Sequence, residues 1–401
     1  MSAVFAADSN SGQRVWTDQT GRKVSAQLLS VQGADVILLL ANQTKATVPL
    51  TKFSASDQTY VKEWLKSVQP KVSPVDSAEL KWPISVEVDP KSLQIFNGDQ
   101  NEAARSYNYR SGSFQFTSNA PLTGTVMRDI ASDFELVKQL FVQLPWGWNP
   151  KPEGGSNLFQ AYLHETQKDY IAAGGDDNSS GRSIDGVIFT QFNTLGLKKV
   201  GDRYARDAKR DRDGEMIGLI LRLIMGEMRD LCMVWSGGGL ERFLEDGAYR
   251  NGSFQLAKPE RGIKDMIEEN ISRYGISPDV DEMIKLLHLK SSESRGGEVI
   301  DIRRRNYFHG AMLIFYFGYL DGKGDGARLH KYFQAMAKDA TAWRFYSQAR
   351  KLGNNTVPNP RPSTTFENWS IDLAKIVIDE RSDEQLRTEM TAKLKSIGIK
   401  L

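Results

Sequence analysis

Residues 214–235 read GEMIGLILRLIMGEMRDLCMVW, and the larger part of the chain is organised around this stretch. Apolar side chains lie on nearly every face of a helix drawn through it, which is typical of a helix buried at the centre of a domain. We therefore predict one continuous central helix from Gly214 to Trp235. The spacing of apolar residues predicts further helices downstream, at about 262–272, 279–289, 306–320 and 326–346.

The segments that precede the central helix are richer in strand-forming residues. Strands are predicted at 82–88, 114–117, 158–163 and 186–192, with one helix that begins near Ser132. Strands first and helices afterwards predict an α+β fold. The predicted boundaries of this domain are a β-rich half at 80–205 and a helical half at 206–401.

The composition is typical of a folded, soluble protein, with 40% hydrophobic and 25% charged residues in a chain of 401. The 52 basic residues nearly balance the 50 acidic ones, which argues against a nucleic-acid partner. The longest uncharged apolar run, at 306–320, is too short to span a membrane. A single cysteine, Cys232, excludes an intramolecular disulfide, and the four histidines leave little room for a multi-histidine metal centre.

The N-terminal residues give an indication of the compartment. Val4-Phe5-Ala6 has the small-residue pattern that a signal peptidase recognises. We interpret residues 1–13 as a disordered N-terminus with the remnant of a signal peptide, and we expect a secreted or periplasmic bacterial protein. An ordinary disordered N-terminus is the alternative.

Residues 14–67 form the first predicted domain. Four short strands are predicted at 14–18, 23–31, 35–41 and 45–50. Ser54 is then the predicted N-cap of a helix that follows them. Four strands and one helix predict a small SH3-like barrel, and the residues at 68–79, which include prolines and serines, predict a linker.

This first domain resembles the SLA1 homology domain 1 family in its secreted bacterial form. The similarity rests on RxWTDxxG at 14–21, VPL at 48–50 and SxxDQxYVxxW at 54–64. In that family the domain is an adaptor-type module, so the resemblance implies binding rather than chemistry.

Gly226-Glu227-Met228-Arg229-Asp230 lies within the predicted central helix. Positions 226 and 230 would share one face, as the two histidines of a zinc-binding His-Glu-x-x-His helix do. The order of segments across residues 130–345 resembles the gluzincin metallopeptidases, and FLxDG at 243–247 stands where their third ligand follows. The resemblance implies a zincin-like fold and a cleft that takes polypeptide.

The departures from that family concern the zinc ligands. The family's two histidines fall on Gly226 and Asp230, its ligand glutamate falls on Asp246, and only the catalytic carboxylate, Glu227, is kept. A site without imidazole, and with one position lacking a side chain, does not hold tetrahedral zinc in the usual way. We therefore expect no zinc peptidase activity, no metal and no cofactor.

Three carboxylates would remain at the position of the zinc site, on Glu227, Asp230 and Asp246. If they share a proton, they form an acid-type catalytic site like that of aspartic proteases. The alternatives are a hard-cation site of oxygens, or structural salt bridges in which Asp230 and Asp246 pair with Arg222, Arg229 or Arg242.

Two other features bear on ligand binding. Trp146 and Trp148 lie in a turn-rich stretch, where they would form a platform for sugar or peptide if exposed; buried loop anchors are the alternative. Arg303-Arg304-Arg305 would clamp an anion, or would form a solvated helix face.

Two functions follow from these patterns. The first is a secreted pseudo-peptidase that binds extracellular polypeptide or glycoprotein. The second is a protease that degrades extracellular protein such as mucin through the carboxylate site. Residue patterns alone do not name the substrate.

Overall fold

The computed structural model divides the chain into two units, which are described separately. The first unit comprises Met1–Ser73 with Thr341–Pro362, and the second comprises Pro74–Ala340 with Ser363–Leu401. The structure describes residues 13–32, 35–40, 44–67, 80–152, 157–177, 179, 181–184, 186–207, 215–289, 300–351, 357–360 and 366–401. The predicted linker at 68–79 and residues 1–12 of the predicted disordered N-terminus lie outside the described residues.

The first unit contains an antiparallel meander followed by a helix. The meander pairs β1 (Gln13–Thr17), β2 (Lys23–Gln32), β3 (Asp35–Leu40) and β4 (Lys45–Pro49) in sequential order. The helix α1 (Ala55–Ser67) begins where the sequence predicts it, because the Ser54 hydroxyl accepts the backbone N–H of Asp57 at 3.2 Å.

A compact aromatic and aliphatic core holds this meander together. Trp16 is fully buried, and its indole N–H donates to the carbonyl of Ala26 at 3.0 Å. The core residues come from alternate positions of the strands and from the helix, as a sheet with one buried face requires. The buried members are Trp16, Ala26, Leu28, Val36, Leu38, Phe53 and Val61.

The second unit begins with a six-stranded mixed sheet. The strands are β6 (Phe96–Asn101), β7 (Ser106–Arg110), β8 (Phe114–Ser118), β9 (Phe159–His164), β10 (Gly181–Ile184) and β11 (Val187–Gln191). Their order is β10-β11-β9-β8-β7-β6, so β10 is an edge strand. The strand β9 runs parallel to both of its neighbours, and the helix α2 (Gly124–Gln143) connects β8 to β9.

The long helix α2 packs on this sheet through aromatic contacts. The rings of Phe114 and Phe116 lie 5.2 and 5.1 Å from that of Phe134, at near-perpendicular angles that aromatic pairs favour. Smaller elements complete this half: β5 (Ser85–Glu87), α3 (Gln167–Ala172), β12 (Leu197–Val200) and β13 (Arg203–Arg206).

The predicted continuous helix from Gly214 to Trp235 is wrong, because the backbone breaks at Gly226. The break separates α4 (Glu215–Met225), α5 (Glu227–Asp230) and α6 (Val234–Arg242). Gly226 has φ 46° and ψ −128°. Only glycine adopts such a conformation readily, so the residue at the expected position of a zinc ligand also ends the helix.

The rest of the second unit is mainly helical. A π-helical segment at Phe243–Ala248 and the hairpin β14 (Tyr249–Arg250) with β15 (Ser253–Gln255) follow α6. The remaining helices are α7 (Glu260–Tyr274), α8 (Val280–His288), α9 (Ile300–Phe315), α10 (Ala327–Lys351), α11 (Phe366–Ile378) and α12 (Asp383–Ser396). Residues 327–340 of α10 belong to this unit, and residues 341–351 belong to the first. The chain is thus of mixed helix and strand composition, consistent with the α+β prediction.

Helices α6 and α9 approach each other closely through two glycines. A Cβ added to Gly239 would lie 2.3 Å from the backbone carbon of Gly310. Two glycines facing each other therefore allow the helices to touch, and this contact fixes α6 against α9. Among the described helices, none combines the length and apolar character needed to cross a membrane.

Candidate functional site

A large cleft lies in the second unit, where the edge of the sheet faces the first helices of the helical half. Its volume is about 1350 Å³. The edge strand β10 contributes Gly181, Arg182 and Ser183, and the opposite lining comes from α4, α5, the π-helical segment, α7 and α9. Seven arginines and six carboxylate residues line it: Arg182, Arg222, Arg229, Arg242, Arg273, Arg303, Arg304, Asp176, Asp177, Asp230, Glu245, Asp246 and Glu269.

The three predicted catalytic carboxylates are only partly brought together. Asp230 and Asp246 line the cleft, whereas Glu227 is half-buried and is not among the lining residues. Glu227 and Asp230 lie on the single turn α5, which begins after the break at Gly226. The face-sharing geometry of a His-Glu-x-x-His helix is therefore not formed, because it needs an unbroken helix from 226 to 230.

Asp246 is a buried carboxylate next to an arginine. Its Oδ2 lies 2.5 Å from the Nε of Arg242, one helical turn earlier, so one of the predicted structural pairs is present. Burial raises the pKa of Asp246 to about 6; the Arg242 guanidinium opposes this effect and the Glu269 carboxylate adds to it. Asp246 therefore takes up a proton at mildly acidic pH.

Glu245 is a second cleft carboxyl, and the sequence analysis did not select it. Its Oε1 lies so close to Gly218 of α4 that a Cβ added to that glycine would be 1.8 Å away. Burial, and then the neighbouring Asp246, raises the pKa of Glu245 well above its ordinary value. The signal for Glu245 in the sequence is its position next to Asp246. In an α-helix, neighbouring side chains point in different directions. In the π-helical segment, however, Glu245 and Asp246 both line the cleft.

The arginines of α4 and α5 have a partner that the sequence analysis also missed. Glu241 of α6 accepts from the Nε of Arg222 at 2.9 Å and from the Nε of Arg229 at 2.7 Å. Its side chain is only 2% exposed. The expected pairing of these two arginines with Asp230 or Asp246 is therefore replaced by a buried pairing with Glu241, and the carboxylate raises the pKa of Arg222 above its ordinary value.

Trp146 and Trp148 do not form an exposed platform. Both are buried, and their indole N–H groups donate to the Nδ1 of His330 at 3.1 Å and to the carbonyl of Ile224 at 3.0 Å. The ring of Trp146 also stacks on Phe333, with centroids 4.1 Å apart. The interpretation as buried loop anchors fits this burial.

The residues at the expected zinc positions do not fit a zinc site. Gly226 offers no side chain, and the Asp246 carboxylate is in contact with Arg242. Within the described ranges, no group of three or more His, Cys, Asp or Glu side chains is arranged to hold a metal ion. The chemistry available at the cleft is thus that of arginines, a phenol and carboxyl groups of raised pKa.

Comparisons with known proteins bear on the first unit alone. A family model described as SLA1 homology domain 1 matches residues 7–68, which confirms the resemblance inferred for this segment. No curated protein and no solved structure matches the chain.

Proposed function

We propose that the second unit is a peptidase-like, gluzincin-related domain whose cleft binds extended polypeptide without zinc chemistry. The observation that carries the proposal is the edge strand β10, which lines the cleft with Arg182 and Ser183. An edge strand presents unpaired backbone N–H and C=O groups, and an extended peptide can add to it as a further strand.

The proposed setting is a secreted or periplasmic bacterial protein that binds extracellular polypeptide or glycoprotein. The matched SLA1 homology domain 1 segment supports it, since the first unit then acts as an adaptor-type binding module. The larger unit supplies the polypeptide cleft.

Two proline substitutions in β10 test this function. Neighbouring residues of an antiparallel strand direct their N–H groups alternately toward and away from the partner strand. Of Arg182→Pro and Ser183→Pro, one therefore removes a hydrogen bond to β11 and the other removes an N–H that faces the cleft.

We expect the variant that keeps wild-type stability to lose binding of unfolded polypeptide, measured by titration of the full chain with a labelled denatured protein. Wild-type affinity in both variants, or no binding by the wild type, would contradict the proposal.

A second candidate function is hydrolysis of extracellular protein, such as mucin, by a carboxylate site. It is favoured by the adjacent Glu245 and Asp246, whose pKa values are both raised. A carboxyl pair that shares a proton can act as base and acid in turn. The three residues first selected, Glu227, Asp230 and Asp246, remain predictions as catalysts.

Cleavage of denatured protein and of mucin, from acidic to neutral pH and with or without chelator, separates the two functions. Acid hydrolysis requires turnover that is highest at mildly acidic pH and is absent in Asp246→Asn. Turnover abolished by chelator would contradict both functions, because it would show metal catalysis.

A further inference from the structure

The strongest positive feature of the cleft is the pair of arginines that share Glu241. Arg222 lies in the last turn of α4 and Arg229 lies on α5, so the break at Gly226 sets the angle between their side chains. Each guanidinium reaches Glu241 through its Nε. The two carboxylate oxygens of Glu241 are thereby each bonded to a different arginine.

This sharing leaves the outer ends of both guanidinium groups unused. Among the residues that the structure describes, none accepts a hydrogen bond from the Nη groups of Arg222 or Arg229. Their side chains are 37% and 39% exposed, and both line the cleft. An arginine that only neutralises a carboxylate can bond it through Nε and Nη together. Arg222 and Arg229 each bond Glu241 through Nε alone, so their Nη groups are left for another acceptor.

The charge balance of this cluster is positive. Two guanidinium groups contact one carboxylate, so these three side chains together carry one positive charge. Glu245 also acts on Arg222, and burial raises the pKa of this carboxyl well above its ordinary value. The cluster therefore combines a net positive charge with N–H donors that no described residue uses.

Helix α9 adds further donors on the same lining. The ring of Tyr307 packs against α6, since a Cβ added to Gly238 would lie 2.3 Å from its Cε1. Its hydroxyl makes no hydrogen bond to any described residue, and Arg303 lies one turn earlier on the same helix. Both side chains line the cleft with the arginine pair, so several N–H and O–H donors meet on this lining.

We infer that Arg222 and Arg229 bind a carboxylate of the ligand, so that the cleft selects acidic polypeptide. The inference rests on the proposed function, in which an extended peptide lies along β10. A guanidinium pair matches the planar, two-oxygen geometry of a carboxylate, and charge-assisted hydrogen bonds of this kind are among the strongest in proteins. The carboxylate comes from an acidic side chain or from the C-terminus of the peptide.

Three matched peptides distinguish these sources. The first is a short extended peptide, acetylated and amidated, with one central Glu; the second has Gln in its place; the third is the Gln peptide with a free C-terminus. Calorimetric titration of the full chain should give about tenfold tighter binding of one carboxylate peptide than of the amidated Gln peptide, at low salt. The peptide that shows this gain identifies the source.

Variants of the arginines locate the effect. Arg222→Gln and Arg229→Gln should each remove most of the preference for the carboxylate peptide. Arg229→Lys keeps the positive charge but loses the planar set of guanidinium donors, so this variant should retain only part of the preference for the carboxylate peptide. Arg273→Gln is the matched control, because Arg273 also lines the cleft but is paired with Glu269 and should leave the preference unchanged.

The outcomes separate the two proposals. Equal affinity for all three peptides would overturn the carboxylate inference while leaving the polypeptide cleft in place. No binding of any peptide would overturn the proposed function and this inference with it. If Arg222→Gln does not fold, a preference that persists in Arg229→Gln and Arg229→Lys would still contradict the inference.

Discussion

The two units treat a buried carboxylate and its arginine in different ways. In the first unit, Asp57 is 2% exposed and forms an ion pair with Arg14, while the backbone N–H of Thr17 donates to it at 2.7 Å. The Arg14 guanidinium lies 3.7 Å from the centroid of the Tyr60 ring. The arginine is thus occupied on its edge and on its face by the fold itself.

In the cleft of the second unit, the Glu241 carboxylate is equally buried, but it does not engage all the donors of its two arginines. Glu241 is satisfied by two Nε groups, and the ends of Arg222 and Arg229 remain open to the cavity. A buried acid is thus satisfied in both units, and in the cleft the Nη donors of its two arginines bond no described residue.

Removal of the cleft carboxylate should give the largest effect on stability. Glu241→Gln leaves two close guanidinium groups without a counter-charge, and breaking a buried pair in this way is strongly destabilising. We expect the free energy of unfolding to fall by about 3 kcal/mol. This value is at the lower end of the range for buried ion pairs, because the arginines are partly exposed. Urea unfolding of the full chain measures it, and a change below about 1 kcal/mol would contradict the picture of a shared buried acid.

The matching change in the first unit should cost less. Asp57→Asn keeps the shape of the side chain, and its one oxygen can still accept from Thr17 and Ser54, but the ion pair and the hydrogen bond with Arg14 are lost. We expect the free energy of unfolding to fall by about 2 kcal/mol, since a hydrogen bond to a charged group contributes about 1.5–3 kcal/mol. Hydrogen exchange on peptides from 13–32 and 44–67 should show the loss, with no change in peptides from 215–289.

The contributions of one aspartate in each unit to stability should change with pH in opposite directions. The folded pKa of Asp246 is raised, so its contribution to stability is present at low pH and is lost as pH rises through about 6. Asp246→Asn should therefore gain stability relative to the wild type as pH rises from about 4 to about 6, by an amount of the order of 1 kcal/mol.

In the first unit, hydrogen bonds from Thr20 and Arg22 lower the pKa of Asp18 to about 2. The contribution of Asp18 to stability is present above about pH 4 and is lost as the pH falls toward 2. Asp18→Asn should therefore differ from the wild type most at neutral pH. Unfolding curves of both variants at a series of pH values test the signs, and equal slopes for the two variants would contradict them.

The smallest effect is expected at an exposed pair of the same chemistry. Asp301 of α9 contacts Arg304 at 3.2 Å, and its side chain is 74% exposed. Asp301→Asn should change the free energy of unfolding by less than about 0.5 kcal/mol, because exposed pairs on helices contribute little. A loss comparable to that of Glu241→Gln would show that burial is not what separates these pairs.

Features that depend on short-range patterns could be predicted from the residues alone. The four strands and the helix of the first unit follow from alternation and from the Ser54 cap, which act within a few residues. In the second unit, apolar periodicity likewise marks β8, β9, β11 and most of the helices, but it does not mark the edge strands β6 and β10. The residues at the expected zinc positions could also be named, because their types are visible without a structure.

The construction of the cleft depends on contacts between distant segments. Glu241 lies 19 residues from Arg222 and 12 from Arg229, and no local pattern states that their side chains meet. The meeting depends on the break at Gly226, where a positive φ turns the chain, and on the glycine contact that fixes α6 against α9. A helix that is apolar on all faces has no periodicity to mark an interruption, so packing between distant segments, rather than local propensity, placed these charges in the cleft.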